Sequence, residues 1–345
     1  MIGRRISLSG LMFGNKDKTA TPPASANAVT VPPTLADAVP QALAGSVLQR
    51  LNHLNKRLER TLLDLRDQTS ADTELRTIAG QLIAAVEQHR DIALGAVFLN
   101  QIGGTYAVRH CTEVAIVVTL IARAMGKSEP ELLIIVAAAL TMNVGMVRQT
   151  EIFQGKDSAL TSEERAMVRR HPTDSVELLR WAGVTDEQWL DCVLLHHENE
   201  DGSGYPDGRL GSEISQNAKL IGLADRYCAF VSARNYRRSL LPPVALDKLR
   251  NSPELPADPA VLLHFHEQIG AYPPGTLVRL QNGETGVVAD ASQVVALRGA
   301  NGEPLSVATA RLGSAQNCAI EAALHEDDAR LRFTMKQIWG ELAAL

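Results

Sequence analysis

The chain has 345 residues, 45% of them hydrophobic and 21% charged, with a net charge of −5 and a pI near 6.0. It is long enough for one large domain or two moderate ones, and its acidic balance argues against a broad nucleic-acid-binding face. No window reaches the roughly 18 uninterrupted apolar residues of a membrane span, and Cys111, Cys192, Cys228 and Cys318 lie far apart with no CxxC pair, the usage expected of reduced thiols in a cytoplasmic protein.

The start, MIGRRISLSGLMFGNKDK, loosely mimics a signal peptide, but its apolar run is short and charges follow at once, so secretion is not expected. Residues 14–35 are rich in Ala, Thr, Pro, Ser and Asn. Such a composition cannot bury a core, and residues 1–35 read as a disordered leader. Residues 36–100 read as an N-terminal helical segment. Val47, Leu51, Leu54, Leu58, Leu62 and Leu65 recur every three or four residues between charges. That stripe suits a helix packed on its own domain or a coiled coil forming a homodimer through residues 40–66; the repeat lasts less than three heptads. A second helix runs through Leu75, Ile78, Leu82 and Val86.

Residues 101–270 continue as helices. HCTEVAIVVTLIARAMG ends on Gly126, a plausible helix stop. SEPELLIIVAAALTMNVGM opens with Ser128 as cap and Pro130 in its first turn. It is apolar nearly all round, which predicts a central buried helix. TSEERAMVRRH and TDEQWLDCVLLHHE open in the same way, from Thr161 and Thr185. Residues 271–345 change texture: β-formers alternate around Asn-Gly turns at 282–283 and 301–302, then a helical stretch closes the chain from about 326. The fold class is mainly α, a helical bundle with a small β-rich C-terminal module. No internal repeat is present.

Four of the nine histidines, His110, His171, His196 and His197, fall between residues 106 and 250 of the helical block. Buried imidazoles need partners, since an unsatisfied buried polar group costs roughly 1–3 kcal/mol. A lone histidine there is usually a satisfied core residue. Adjacent histidines at a helix end, followed by acids and the loop DGSGYPDG, serve equally well as metal ligands. Gly202, Gly204 and Gly208 permit a tight loop that Pro206 stiffens. Asp225 interrupts an apolar face in LADRYCAFVSARNYRR, where a carboxylate needs a partner or a metal. Arg234, Arg237 and Arg238 lie close by in sequence.

HHENEDGSGYPDG, with His171 upstream and Asp225 downstream, resembles the HD-GYP family of bacterial phosphodiesterases, and YPPGTLVRLQNGETGVV resembles the tail common after that domain. The likeness covers roughly residues 100–290. It implies an HD-type helical bundle around two or three iron- or manganese-type ions, and in active members the hydrolysis of cyclic di-GMP. It also implies ligand contacts from Gly204, Tyr205, Pro206, Lys219, Arg234 and Arg237.

Only one of the two motifs behind the family name is intact. Where the family carries a pattern like LLHDIGK, this chain has ALTMNVGM. Met142 stands for the histidine, Asn143 for the aspartate and Met146 for the lysine, while Gly145 is kept. Two-metal hydrolysis holds its ions about 3.5–4 Å apart through a bridging carboxylate and hydroxide. The neutral amide of Asn143 cannot offset two dications, the Met142 thioether is a poor match for manganese or ferrous iron, and Met146 lacks the cation that would steady a phosphate.

By the same resemblance one metal site keeps only His110 and Asp225, while the other keeps His171, His196 and His197, a set able to hold a single iron, manganese or zinc ion or none. Tyr106 stands where some relatives carry a glutamate for a third metal. Three readings follow: a non-catalytic protein that acts as a receptor for cyclic di-GMP or a related nucleotide or as a module that binds signalling proteins, a metal-dependent phosphodiesterase with an altered site, and a structural scaffold.

Overall fold

A computed structural model describes residues 45–156, 158–232, 238–252, 256–315 and 317–345. The expected leader, with Arg234 and Arg237, lies outside these residues. Helix α1 (Val47–Leu63) starts from a reciprocal cap: the Gln49 N–H donates to the Ser46 hydroxyl, and the Ser46 N–H donates to the Gln49 side chain. Its stripe of Val47, Leu51, Leu54, Leu58 and Leu62 is at most 4% exposed, and Leu65 is buried in the turn that follows. These side chains pack on α2 (Asp72–Gln88), α3 (Arg90–Phe98) and α4 (Tyr106–Ala124) of the same chain. The coiled-coil expectation for residues 40–66 is corrected accordingly. Among the described residues of that span, intrachain packing uses the whole leucine stripe and leaves no seam for a second copy.

Polar bonds tie α1 to the segment that carries the first site histidine. Asn55 is buried; its amide donates to Gly103 O at 2.6 Å and its carbonyl accepts from the Thr112 hydroxyl at 2.6 Å. The helices on both sides of residue 100 thus share one apolar core, which runs from Val47 to Ala343.

Helix α5 (Glu129–Thr141) forms the buried centre with α4. The Glu131 carboxylate accepts from both the N–H and the hydroxyl of Ser128 at its start. A short 3-10 turn, Val144–Met146, separates α5 from α6 (Val147–Gln154). The stretch Glu129–Gln154 is long and apolar enough to cross a membrane by composition, yet 72% of its most apolar window is buried inside the protein.

Helices α7 (Ser162–Trp181), α8 (Glu187–Leu195), α9 (Gln216–Val231), α10 (Pro242–Asn251) and α11 (Pro259–Ile269) follow. Thr161 caps α7 as expected. The cap of α8 is Asp186 and not Thr185, because the Asp186 carboxylate reaches the free N–H groups of Gln188 and Trp189.

Five antiparallel strands make the C-terminal sheet: β1 (Leu277–Leu280), β2 (Thr285–Val288), β3 (Gln293–Arg298), β4 (Pro304–Leu312) and β5 (Ile320–Ala323), in the order β4-β3-β2-β1-β5. Both expected turns are present, with Gly283 at φ 85° and Gly302 at φ 81°. The helical tail is two short pieces, α12 (Glu326–Ala329) and α13 (Met335–Trp339). Trp339 clamps the sheet to the bundle. Its indole N–H donates to Ala289 O at 3.0 Å, and its ring lies so near Gly95 of α3 that a Cβ there would stand 2.6 Å from it.

If α1 is part of the domain core, Leu58→Ala should lower stability by about 2–5 kcal/mol, the range for emptying a buried leucine site. Urea unfolding of the two proteins measures this, and an unchanged midpoint would place α1 outside the cooperative core.

Candidate metal centre and ligand cavity

His171 lies inside α7 directly before Pro172. Proline has no N–H, so the carbonyl four residues earlier, Val168 O, loses its helical donor. The His171 ring replaces it, with Nδ1 2.6 Å from Val168 O. His196 stands at the C-terminal end of α8, where the last carbonyls have no helical donors, and its Nδ1 lies 2.7 Å from Val193 O.

Burial pushes the His171 pKa down to about 3, with His196 adding to the effect, and burial also lowers His196 and His197. All three rings are neutral near pH 7. A neutral imidazole carries one N–H, and in His171 and His196 a carbonyl claims it at Nδ1. Both Nε2 atoms therefore bear lone pairs, and they face each other 3.3 Å apart. His197 joins them, and one ligand nitrogen from each ring lies within 4.8 Å of the others.

The GYP loop is held against this cluster by Glu198. Its buried carboxylate accepts from the N–H groups of Asp207, Gly208 and Arg209 at 2.8, 3.0 and 3.0 Å. This role went unassigned in the sequence, although the acid stands directly after the histidine pair. Tyr205 stacks on His197 with centroids 4.7 Å apart and lines the cavity beside it. Gly204 and Pro206 do not line it. At Gly204 a Cβ would stand 2.5 Å from Asn199 N and Glu198 Cα, so that glycine serves the close approach of two loop strands.

Lys219 is also displaced from its expected role. It pairs with Glu200 at 2.9 Å and Asp258 at 3.2 Å, outside the cavity lining, because those two acids flank it on the bundle surface.

The stretch Met142 to Met146 is not one helix face. Helix α5 stops at Thr141, Met142 is fully buried in the main core, and Met146 lies in the 3-10 turn and lines the cavity. Gly145 keeps this turn in place. Its N–H donates to Ser175 Oγ at 2.9 Å, and Ser175 Oγ donates to Met142 O at 2.9 Å. A Cβ on Gly145 would meet His171 O at 2.7 Å. The turn is thereby latched onto α7 beside His171. Asn143 is buried, and its Oδ1 has no hydrogen-bond partner among the described residues.

In the same cavity as His171 and His197, His110 Nε2 and Asp225 Oδ1 stand 2.7 Å apart. Burial pushes the Asp225 carboxyl up, but the hydrogen bond and charge of His110 outweigh it and hold Asp225 well below the usual carboxylate range. Tyr106 stacks on His110, with centroids 5.7 Å apart. One cavity of about 460 Å³ is lined by His110, Asn143, His171, His197, Tyr205 and Asp225 among others. Its volume is that of a small-molecule site. Lys156 also lines it, paired with Glu164 at 2.6 Å.

The family model described as "HD domain" matches residues 48–261, well over half of the chain. The chain belongs to the HD-domain family. This HD domain is 30% identical over 213 residues to a cyclic di-GMP phosphodiesterase of Pseudomonas aeruginosa, covering 61% of this chain and 50% of that one. It is 32% identical over 195 residues to a cyclic di-GMP phosphodiesterase response regulator of Xanthomonas campestris, covering 56% and 46%. The chain thus spans about half the length of the curated relatives it matches. An HDG"Y"P protein from Bdellovibrio bacteriovorus has the same fold, with a TM-score of 0.53 at 13% identity over 68% of this chain and 76% of that one. The match begins in α1, in agreement with the burial of that helix in the common core.

The three-histidine cluster of this HD domain fits a transition-metal ion. Two nitrogens bound to one tetrahedral ion at about 2.0–2.1 Å stand about 3.3 Å apart, and the His171–His196 separation is 3.3 Å. The carbonyl bonds at Nδ1 are the outer support that metal-ligating histidines carry. The second set does not fit. Met142 is buried away from the cavity, Asn143 is neutral, and His110 Nε2 and Asp225 Oδ1 are already bonded to each other.

These shifts have a pH consequence in metal-free protein. The unfolded chain takes up protons on His171, His196 and His197 as pH falls through about 6.5, whereas the folded protein resists them. Stability is therefore full above that pH and declines below it, by up to about 1.4 kcal/mol per pH unit for each histidine that stays neutral. Asp225, held low in the folded state, adds its own loss only below about pH 4. Melting temperatures in chelator should fall from pH 7 to pH 4.5, and His171→Asn should flatten the slope. A flat wild-type profile would mean that these rings take up protons freely in the fold.

Proposed function

We propose that this HD domain is a non-hydrolysing receptor for cyclic di-GMP or a related cyclic dinucleotide, with at most one transition-metal ion on His171, His196 and His197. The observation that carries the reading is Asn143. A neutral amide stands at the position that resemblance assigns to the bridging carboxylate, and among the described residues the one carboxylate that lines the cavity, Asp225, is engaged with His110. A bound ion would supply Lewis acidity toward a phosphoryl oxygen. This chain's own residues do the rest: Tyr205 and His197 form an aromatic wall, Met146 and Phe153 contribute apolar surface, and the His110–Asp225 pair presents a fixed polar edge.

The cyclic dinucleotide is suggested by what the two phosphodiesterase relatives are named for. The receptor reading places the protein in the cytoplasm, where its four buried free cysteines stay reduced, and its output would be contact with a signalling protein. A second reading, a phosphodiesterase with an altered metal site, draws support from the unpartnered Asn143 Oδ1, a fourth neutral donor beside the three histidines.

Elemental analysis after loading with manganese or ferrous iron should find no more than about one ion per chain, and His196→Ala should remove it. Calorimetry with cyclic di-GMP should show binding without turnover. Two tightly held ions per chain, or turnover that His196→Ala abolishes, would favour the phosphodiesterase reading and sink the receptor.

A further inference from the structure

Met146 leaves the inner end of the cavity without the lysine of active relatives, yet a cyclic dinucleotide carries two phosphodiester charges. The cations near the cavity differ in how far they are already neutralised. Lys156 is paired with Glu164, and Arg170 with Asp174 at 3.0 Å. Arg165 is tied to Leu160 O and to Ser162 Oγ. Arg226 is half-buried and bonded to Glu198 O and Asn199 Oδ1. Arg169 is different. It is exposed, has no carboxylate within ion-pair distance among the described residues, and lies with its guanidinium carbon 5.0 Å from the Tyr205 ring centroid.

We propose that Arg169 is an anion-binding residue at the rim of this cavity, contacting a phosphodiester group of the ligand; this rests on the receptor reading above. A guanidinium stacked on an aromatic ring keeps its N–H donors in its own plane, free for a bidentate contact to phosphate oxygens. Tyr205 is itself stacked on His197, so the rim cation is registered against the three-histidine cluster through two ring contacts. Arg169 stands one helical turn after Arg165 and two residues before His171, on the same rigid helix α7. Arg169 does not itself line the cavity; the Tyr205 ring, which does, is its contact with it.

The test is calorimetric titration of wild type, R169A and R169K, with cyclic di-GMP and separately with bis(para-nitrophenyl) phosphate, a diester without a nucleoside. R169A should weaken both ligands roughly tenfold or more, the scale of one charge-assisted contact. R169K, which keeps the charge without the planar fork, should fall between. The salt dependence of binding should be shallower in R169A. Its melting temperature should match wild type, because the side chain is exposed. Cyclic di-GMP binding that R169A leaves unchanged would overturn the Arg169 assignment and leave the receptor reading standing. Arg169-dependent binding of the simple diester, without cyclic di-GMP binding, would support Arg169 and overturn the cyclic dinucleotide. Binding of neither ligand would overturn both.

Discussion

The centre of this protein depends on two carbonyl oxygens that its helices leave without donors. Pro172 frees Val168 O inside α7, and the end of α8 frees Val193 O. Each is taken by the Nδ1 of a histidine, and that choice places two bare Nε2 lone pairs face to face. Burial keeps both rings neutral. Two lone pairs in an apolar setting repel unless a cation lies between them, so the arrangement can accept a metal ion there.

The other half of the site shows how the fold around it is held. The turn after α5 is anchored by backbone and hydroxyl bonds, Gly145 to Ser175 and Ser175 to Met142 O, and not by the side chains at 142, 143 and 146. Those side chains can change while the turn stays latched to α7. Met142 becomes part of the core, which suits a flexible apolar side chain. Asp225, with no second ion to share, is stabilised by His110. A buried charge paired this way avoids most of the penalty of standing alone.

Rigidity in the loop has a separate source. The Glu198 carboxylate gathers three consecutive N–H groups and so fixes the path on which Tyr205 is carried. Tyr205 stacks on His197, and Arg169 stacks on Tyr205. Arg169, Tyr205 and His197 are therefore linked by ring contacts beside the three-histidine cluster. On the far side, α1 supports the same region through Asn55, which bonds both the loop before α4 and Thr112 within it.

Local pattern in the sequence determined the helices, their caps at Ser128 and Thr161, the turns at Gly283 and Gly302, the grouping of His171 with His196 and His197, and the bond between His110 and Asp225. The helices, caps and turns follow from spacing and capping chemistry, and the two groupings of site residues from the likeness of the motifs to a known family. Only the tertiary structure decided the rest. A heptad-like stripe is the same whether its partner is a second copy or its own domain, so the fate of Leu51, Leu54 and Leu58 rested on which surface lay nearest. Lys219 and Arg169 are both basic residues near the motifs, but their roles separated once folding put Glu200 and Asp258 beside the first and a tyrosine ring beside the second. The role of a charge depends on its neighbours within a few ångströms, and those neighbours come from distant parts of the chain.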